Sequence, residues 1–245
     1  MSARRYTLAS AYFQAARRLE GCGPGHPSAR LHGHGFRARL RAHLPEGWGG
    51  CPGGEPEALV ARLRATLAPL DYRCLNELLA EPDDAGVARW LWPRLDLAGL
   101  DSLGLDSTPW QGVELDASGQ VRVWRRYRFE AAHRLPYVPP GHPCGRLHGH
   151  GFEVILHAAL DSDTPGCPYD ALDARWAPLH SELHQACLND LPGLDNPTSE
   201  RLAAWLWQQL EPEWAALGGV TVLETASAGC HYDGAHYRIW KEQSF

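Results

Sequence analysis

Three histidines and one cysteine carry the chemistry for which this sequence can be read. His148 and His150 stand two apart in Leu147-His148-Gly149-His150-Gly151-Phe152. On a strand, residues two apart point to the same face, so both imidazoles can address one metal ion. His133, at the end of the neighbouring strand, can complete three-nitrogen coordination with an open fourth position, as catalytic zinc requires. Cys144 lies four residues before His148. Its thiol can be a fourth ligand or an acid/base group, and reactivity requires its pKa to fall from about 8.5, which a nearby cation promotes. The spacing alone also fits two surface histidines on a strand.

The elements that must position these groups are a hairpin and what packs on it. A strand over Tyr127–His133 leads through a Pro/Gly-rich loop into a second, Leu147–Ala158, whose Glu153-Val154-Ile155-Leu156 is β-branched and apolar. Helical spacing follows over Asp173–Cys187 and Ser199–Leu210, the latter opened by the capping run Asn196-Pro197-Thr198-Ser199. Strands Val220–Thr225 and His236–Trp240 close the unit, giving ββααββ.

The same order occurs twice. Ala29-Arg30-Leu31-His32-Gly33-His34-Gly35-Phe36 lies over Gly145-Arg146-Leu147-His148-Gly149-His150-Gly151-Phe152 at an offset of 116 residues. At that offset Phe13-Gln14-Ala15-Ala16-Arg17 lies over Phe129-Glu130-Ala131-Ala132-His133. With small drifts, Leu75-Asn76 matches Leu188-Asn189, Trp90-Leu91-Trp92 matches Trp205-Leu206-Trp207, and Val113-Glu114 matches Leu223-Glu224. The chain of 245 residues is therefore expected to hold two modules, 1–125 and 126–245, each within the usual domain size of about 100–150 residues. A net charge of −6 and a pI near 6.1 argue against a nucleic-acid partner, which needs a clustered basic face. No apolar run approaches the ~20 residues of a membrane span, and no signal-peptide core follows Arg4 and Arg5. Seven cysteines without a CxxC pair suit a reducing cytoplasm.

Across residues 126–234 the sequence resembles the 6-pyruvoyltetrahydropterin and 6-carboxytetrahydropterin synthase family. The resemblance is carried by Ala131-Ala132-His133, Cys144-Gly145-Arg146-Leu147-His148-Gly149-His150, Leu188-Asn189-Asp190, Asn196-Pro197-Thr198-Ser199-Glu200 and Glu224-Thr225. It implies an α+β tunnelling fold in each module, with an antiparallel sheet and two helices on one face. It also implies zinc on His133, His148 and His150, Cys144 as the proton-transferring thiol, and Glu224 with Thr198 as substrate-binding residues. A carboxylate suits that role because it accepts two parallel hydrogen bonds from the guanidine-like edge of a pterin. The wording of these motifs is closer to the carboxy-forming branch, which converts 7,8-dihydroneopterin triphosphate on the way to 7-deazaguanine bases such as queuosine. The alternatives are a pyruvoyl-forming enzyme and a slow or inactive pterin-binding scaffold. The fold further implies a homo-oligomer, a trimer of fused chains equivalent to a hexamer of modules.

Two departures from the family pattern matter. An Asp-His pair is usual before Leu-Asn, but His184 and Gln185 occupy those places. His184 is the remaining candidate base, since imidazole titrates near neutrality. In the first module Arg17 replaces His133 and Ser28 replaces Cys144, while His32, His34, Asp71 and Glu114 remain. A permanently charged guanidinium cannot coordinate zinc, so no zinc is expected there. Asp71, at the family's Asp place, is expected to face Cys144 across a module interface and restore part of the relay.

Overall fold

The computed structural model describes residues 5–23, 25–160, 167–235 and 237–241. They divide into two compact units, one up to Val123 together with Leu160 and Cys167, the other from Trp124 to Ala159 and onward from Pro168. The fold class is α+β, as expected.

In the first unit, β1 (Thr7–Arg17) and β2 (His32–Ala42) form an antiparallel pair with Phe13 opposite Phe36 and Arg17 opposite His32. Their alternation puts Phe13, Ala15 and Arg17 with Phe36, Ala38 and Leu40 on one buried face. A two-residue strand, β3 (Arg73–Cys74), runs parallel to β1, and β4 (Leu100–Thr108) and β5 (Gln111–Asp116) follow β2, so the order is β3-β1-β2-β4-β5. Helix α1 (Glu55–Leu67) lies on β1 and buries Leu59, Leu63 and Leu67, which recur every fourth residue. Helix α2 (Asp84–Leu95) lies on β4 and β5 through Val87, Leu91 and Leu95. The Asp83 carboxylate caps α2 by accepting from the Gly86 amide at 2.7 Å, and Asp96 ends it in the left-handed region.

The second unit repeats this order. Strands β6 (Val121–His133), β7 (His148–Ala159), β8 (Leu217–Thr225), β9 (Ala228–Tyr232) and β10 (Tyr237–Lys241) are adjacent in sequence order. Helix α3 (Pro168–Leu183) sets Trp176 against Tyr127 and Phe129 of β6, and α4 (Ser199–Leu210) packs on β8 and β9. Phe129 stacks on Phe152 at 5.1 Å with rings 10° apart, as Phe13 does on Phe36 at 4.8 Å and 10°.

Several boundaries differ from the sequence reading: β6 starts at Val121 rather than Tyr127, β8 at Leu217 rather than Val220, and α3 at Pro168 rather than Asp173. Helix α3 stops at Leu183 rather than Cys187, because Gln185 takes φ 61° and its amide donates to the Glu130 carbonyl at 2.6 Å. Tyr72, with φ 55°, does the same to Gln14 of β1. Strand β9 was not expected; its Ala-Gly-Cys-His-Tyr lacks the apolar alternation of its neighbours. The last strand runs Tyr237–Lys241, and His236, where it was expected to begin, lies outside the described residues.

Removal of the α2 cap tests this assignment. Asp83→Ala is expected to cost about 1 kcal/mol locally, read as about fivefold faster hydrogen exchange at Gly86 and Val87. Unchanged exchange would contradict the cap.

Candidate metal centre

His133 is fully buried at the end of β6, where strand alternation turns it to the helix-covered face with Phe129 and Ala131. Its Nδ1 lies 3.0 Å from the Pro197 carbonyl. A carbonyl only accepts, so the proton sits on Nδ1 and the Nε2 lone pair is left to face His148 and His150. His148 is oriented the same way, with Nδ1 2.8 Å from the Arg146 carbonyl. The three rings converge, with centroids 4.6 Å (His133 to His148), 5.1 Å (His133 to His150) and 4.9 Å (His148 to His150) apart. The Nε2 atoms of His133 and His150 are buried without a hydrogen-bond partner, an arrangement an ion would relieve. Burial holds the His133 pKa below its ordinary value, against the Pro197 carbonyl and Glu224, which raise it, so the ring is kept neutral and able to ligate.

Glu224, near the end of β8, brings Oε1 to 3.1 Å from His150 Nε2 and 3.5 Å from His133 Nε2. Its Oε2 accepts from the Ser199 hydroxyl at 3.2 Å. One ligand atom from each of His133, His148, His150 and Glu224 lies within 4.8 Å of the others. The donor set, three imidazoles and a carboxylate with two orphaned nitrogens, fits a divalent metal ion of the zinc type. Spacing left the fourth ligand open, with Cys144 a candidate; the clustered atoms take in Glu224 and leave out that thiol. Cys144 is half-buried in the short turn Pro143–Gly145, its amide donating to His142 Nδ1 at 3.2 Å.

The other expected site residues have local partners. Thr198 caps α4, its hydroxyl accepting from the Arg201 amide at 3.4 Å. His184 accepts from the Glu130 amide through Nδ1 at 3.2 Å and stacks on His180 at 4.8 Å. Asp71 does the equivalent in the first unit, accepting from the Gln14 amide at 2.8 Å. His184 and Asp71 therefore each accept from a strand N–H within their own unit.

The first unit builds a different answer in the corresponding place. Arg17 donates to the Pro82 carbonyl at 3.1 Å, as His133 does to Pro197, and to Asp84 Oδ1 at 2.6 Å. Both side chains of that pair are only 2% exposed. Strand register corrects the expected match of Glu114 to Glu224. Arg37 pairs with Asp106 as Glu153 pairs with Leu223, so Ser107 stands at the place of Glu224, while Glu114 lies one strand further on, opposite Gly104. The serine–carboxylate pair is thereby reversed: Ser107 on the strand donates to Asp84 on the helix at 2.7 Å, where Ser199 on the helix donates to Glu224 on the strand. Sequence comparison sets Asp84 at the place of Ser199 but gives it no role, and it missed Ser107, because each position holds the partner's chemistry.

After this geometry the relatives can be placed. The 6-pyruvoyl tetrahydropterin synthase family profile matches residues 122–235. A 6-carboxy-5,6,7,8-tetrahydropterin synthase from Synechocystis sp. is 37% identical over 119 residues, 45% of this chain and 91% of that protein. Among solved structures, the Caenorhabditis elegans 6-pyruvoyl tetrahydropterin synthase aligns with 50% of this chain and 95% of its own at 19% identity and a TM-score of 0.40. A hyper-thermostable uricase mutant aligns with 98% of this chain and 91% of its own at 7% identity and a TM-score of 0.44. The chain has the α+β fold and clustered histidines of a tetrahydropterin synthase-like protein, and it belongs to the 6-pyruvoyl tetrahydropterin synthase family.

Two outcomes are expected in the first unit. Arg17→Ala strands a buried carboxylate and should cost about 3–5 kcal/mol, whereas Arg17→Met with Asp84→Ala should recover most of it, measured by denaturant unfolding. Equal losses in the two variants would contradict the buried pair. Burial, and then Arg17, lower the His34 pKa from 6.5 to about 4. The unfolded chain therefore binds the extra proton between these values, so this contribution to stability is complete above pH 6.5 and is lost as pH falls towards 4. Ring-proton NMR should show His34 neutral at pH 6; a midpoint near 6.5 would contradict it.

Proposed function

We propose that the second unit is a zinc-dependent lyase of the 6-carboxy-5,6,7,8-tetrahydropterin synthase type, acting on 7,8-dihydroneopterin triphosphate in the supply of 7-deazaguanine precursors. The observation that carries this reading is the convergence of His133, His148 and His150 with Glu224, two of the imidazole Nε2 atoms being buried without a hydrogen bond. Those three histidines would hold the ion, with Glu224 at its border. Zinc supplies Lewis acidity toward the side-chain hydroxyls of the pterin, lowering their pKa.

The protein's own groups do the remaining work. Pro197 and Arg146 carbonyls fix the tautomers of His133 and His148, so the ligand nitrogens need no rearrangement. Thr198 and Glu224 bind the pterin, the latter through a carboxylate suited to a guanidine-like edge. Ser199 holds one oxygen of that carboxylate. Cys144 moves protons during tautomerisation. His184 is assigned as its base in place of the usual Asp-His pair, and Asp71 as an auxiliary carboxylate. Triphosphate loss and carbon–carbon cleavage follow, releasing acetaldehyde. The chain assembles as a homo-oligomer, three chains giving six modules. Among the described residues no helix is long and apolar enough to cross a membrane.

The test is incubation of zinc-loaded protein with dihydroneopterin triphosphate, following acetaldehyde and the pterin product. Catalytic acetaldehyde is expected, with Cys144→Ser keeping zinc but losing at least about 100-fold in turnover, and His148→Ala losing both. Binding without turnover would replace the enzyme with a pterin-binding scaffold; turnover without acetaldehyde would indicate the pyruvoyl outcome. Turnover unchanged in Asp71→Asn would remove Asp71 from the relay.

A further inference from the structure

A second set of metal-ligating groups converges away from the histidine triad. Cys22, His26 and Cys167 all belong to the first unit, and one ligand atom from each lies within 4.8 Å of the others. Cys22 ends the short turn Glu20–Cys22, and His26 caps the next turn, Pro27–Ala29. Cys167 stands directly before Pro168, far away in sequence. The set is therefore a local Cys-x-x-x-His pair met by a distant thiol, a combination of sulfur and imidazole donors that zinc accepts. It is not a relic of the triad: at the repeat offset His26 corresponds to His142, but Cys22 corresponds to Val138. Nor does Cys22 join His32 and His34, since its cluster partners are His26 and Cys167.

We propose that Cys22, His26 and Cys167 form a metal site for a soft or borderline ion, zinc or copper(I), separate from the pterin site. Two thiolates and an imidazole are the donors such ions select. With metal–sulfur distances of about 2.3 Å and metal–nitrogen distances of about 2.0–2.1 Å, a tetrahedral ion draws its ligand atoms to under about 4 Å apart. The observed spread closes to that by small side-chain rotations. Binding displaces one proton from each thiol into solvent. The Ser28 amide donates to His26 Nδ1 at 3.1 Å in the metal-free chain, which puts the ring proton on Nε2. Ligation through Nε2 moves that proton to Nδ1 and turns the Ser28 amide to water. Cys22 and His26 are half-buried, so solvent can supply the fourth ligand from their side.

The full-length chain, reduced and stripped of metal, is titrated with cobalt(II). The expected result is a near-ultraviolet thiolate-to-cobalt band that saturates with about one equivalent, disappears in Cys22→Ser with Cys167→Ser, and persists in His148→Ala with His150→Ala. That last variant removes the pterin-site ion, so failure of either site is read independently of the other. A second measurement needs no substitution. In the wild-type chain, zinc should slow alkylation of Cys22 and Cys167 at least about tenfold while leaving exposed Cys51 unchanged. No band in the wild-type chain, a band surviving the double serine variant, or equal alkylation with and without zinc would overturn the site.

Discussion

One constraint organises both units: where the inner end of the hairpin meets the N-terminus of the second helix, buried side-chain nitrogens must be matched by a carboxylate. An unpaired charge or an orphaned donor buried there is costly. In the first unit the Arg17 guanidinium supplies the positive charge and Asp84 the negative, with Ser107 holding the second carboxylate oxygen. In the second, His133 stands at the place of Arg17, and its imidazole with those of His148 and His150 meets Glu224 in a cluster that could hold a metal ion, two of the nitrogens being buried without a hydrogen bond. The surrounding frame is shared. The carbonyl of a proline two residues before the helix accepts in both units, and a phenylalanine of the second strand lies beside the charged or ligating side chain, at 4.9 Å from Arg17 and 5.4 Å from His133.

This explains how one architecture accommodates two chemistries. A guanidinium is permanently charged and cannot be displaced by substrate, so the first unit's site is closed by its own side chain. An ion held by neutral imidazoles can keep a coordination position for a ligand. Reversing serine and carboxylate between helix and strand lets Asp84 reach Arg17, whereas Glu224 reaches inward from the strand to the imidazoles.

Much of the second unit's site was legible because its spacing is local. The His-x-His pair on β7 and His133 on β6 follow from strand alternation and the hairpin. Glu224 was singled out through resemblance to a family; its approach to His150 depends on the register of β8 against β7, which no local pattern encodes. The same limit produced the mismatch of Glu114, since an apolar residue followed by glutamate occurs on the wrong strand, and it hid Ser107 and its pairing with Asp84. The C-terminal end of helix α3 was set too late because the left-handed turn at Gln185 is made by a residue with no special preference for it. Cys22, His26 and Cys167 could not be joined from sequence, as one member lies in the other half of the chain.

The central claim is that the two corresponding places are filled differently, by a metal ion in the second unit and by Arg17 in the first. Anomalous diffraction at the zinc edge from crystals of the zinc-loaded chain tests it most directly. The account requires a peak bounded by the Nε2 atoms of His133, His148 and His150, with Arg17 and Asp84 paired and no peak between His32 and His34. A peak at His32 and His34, or none at the triad of the second unit, would contradict it.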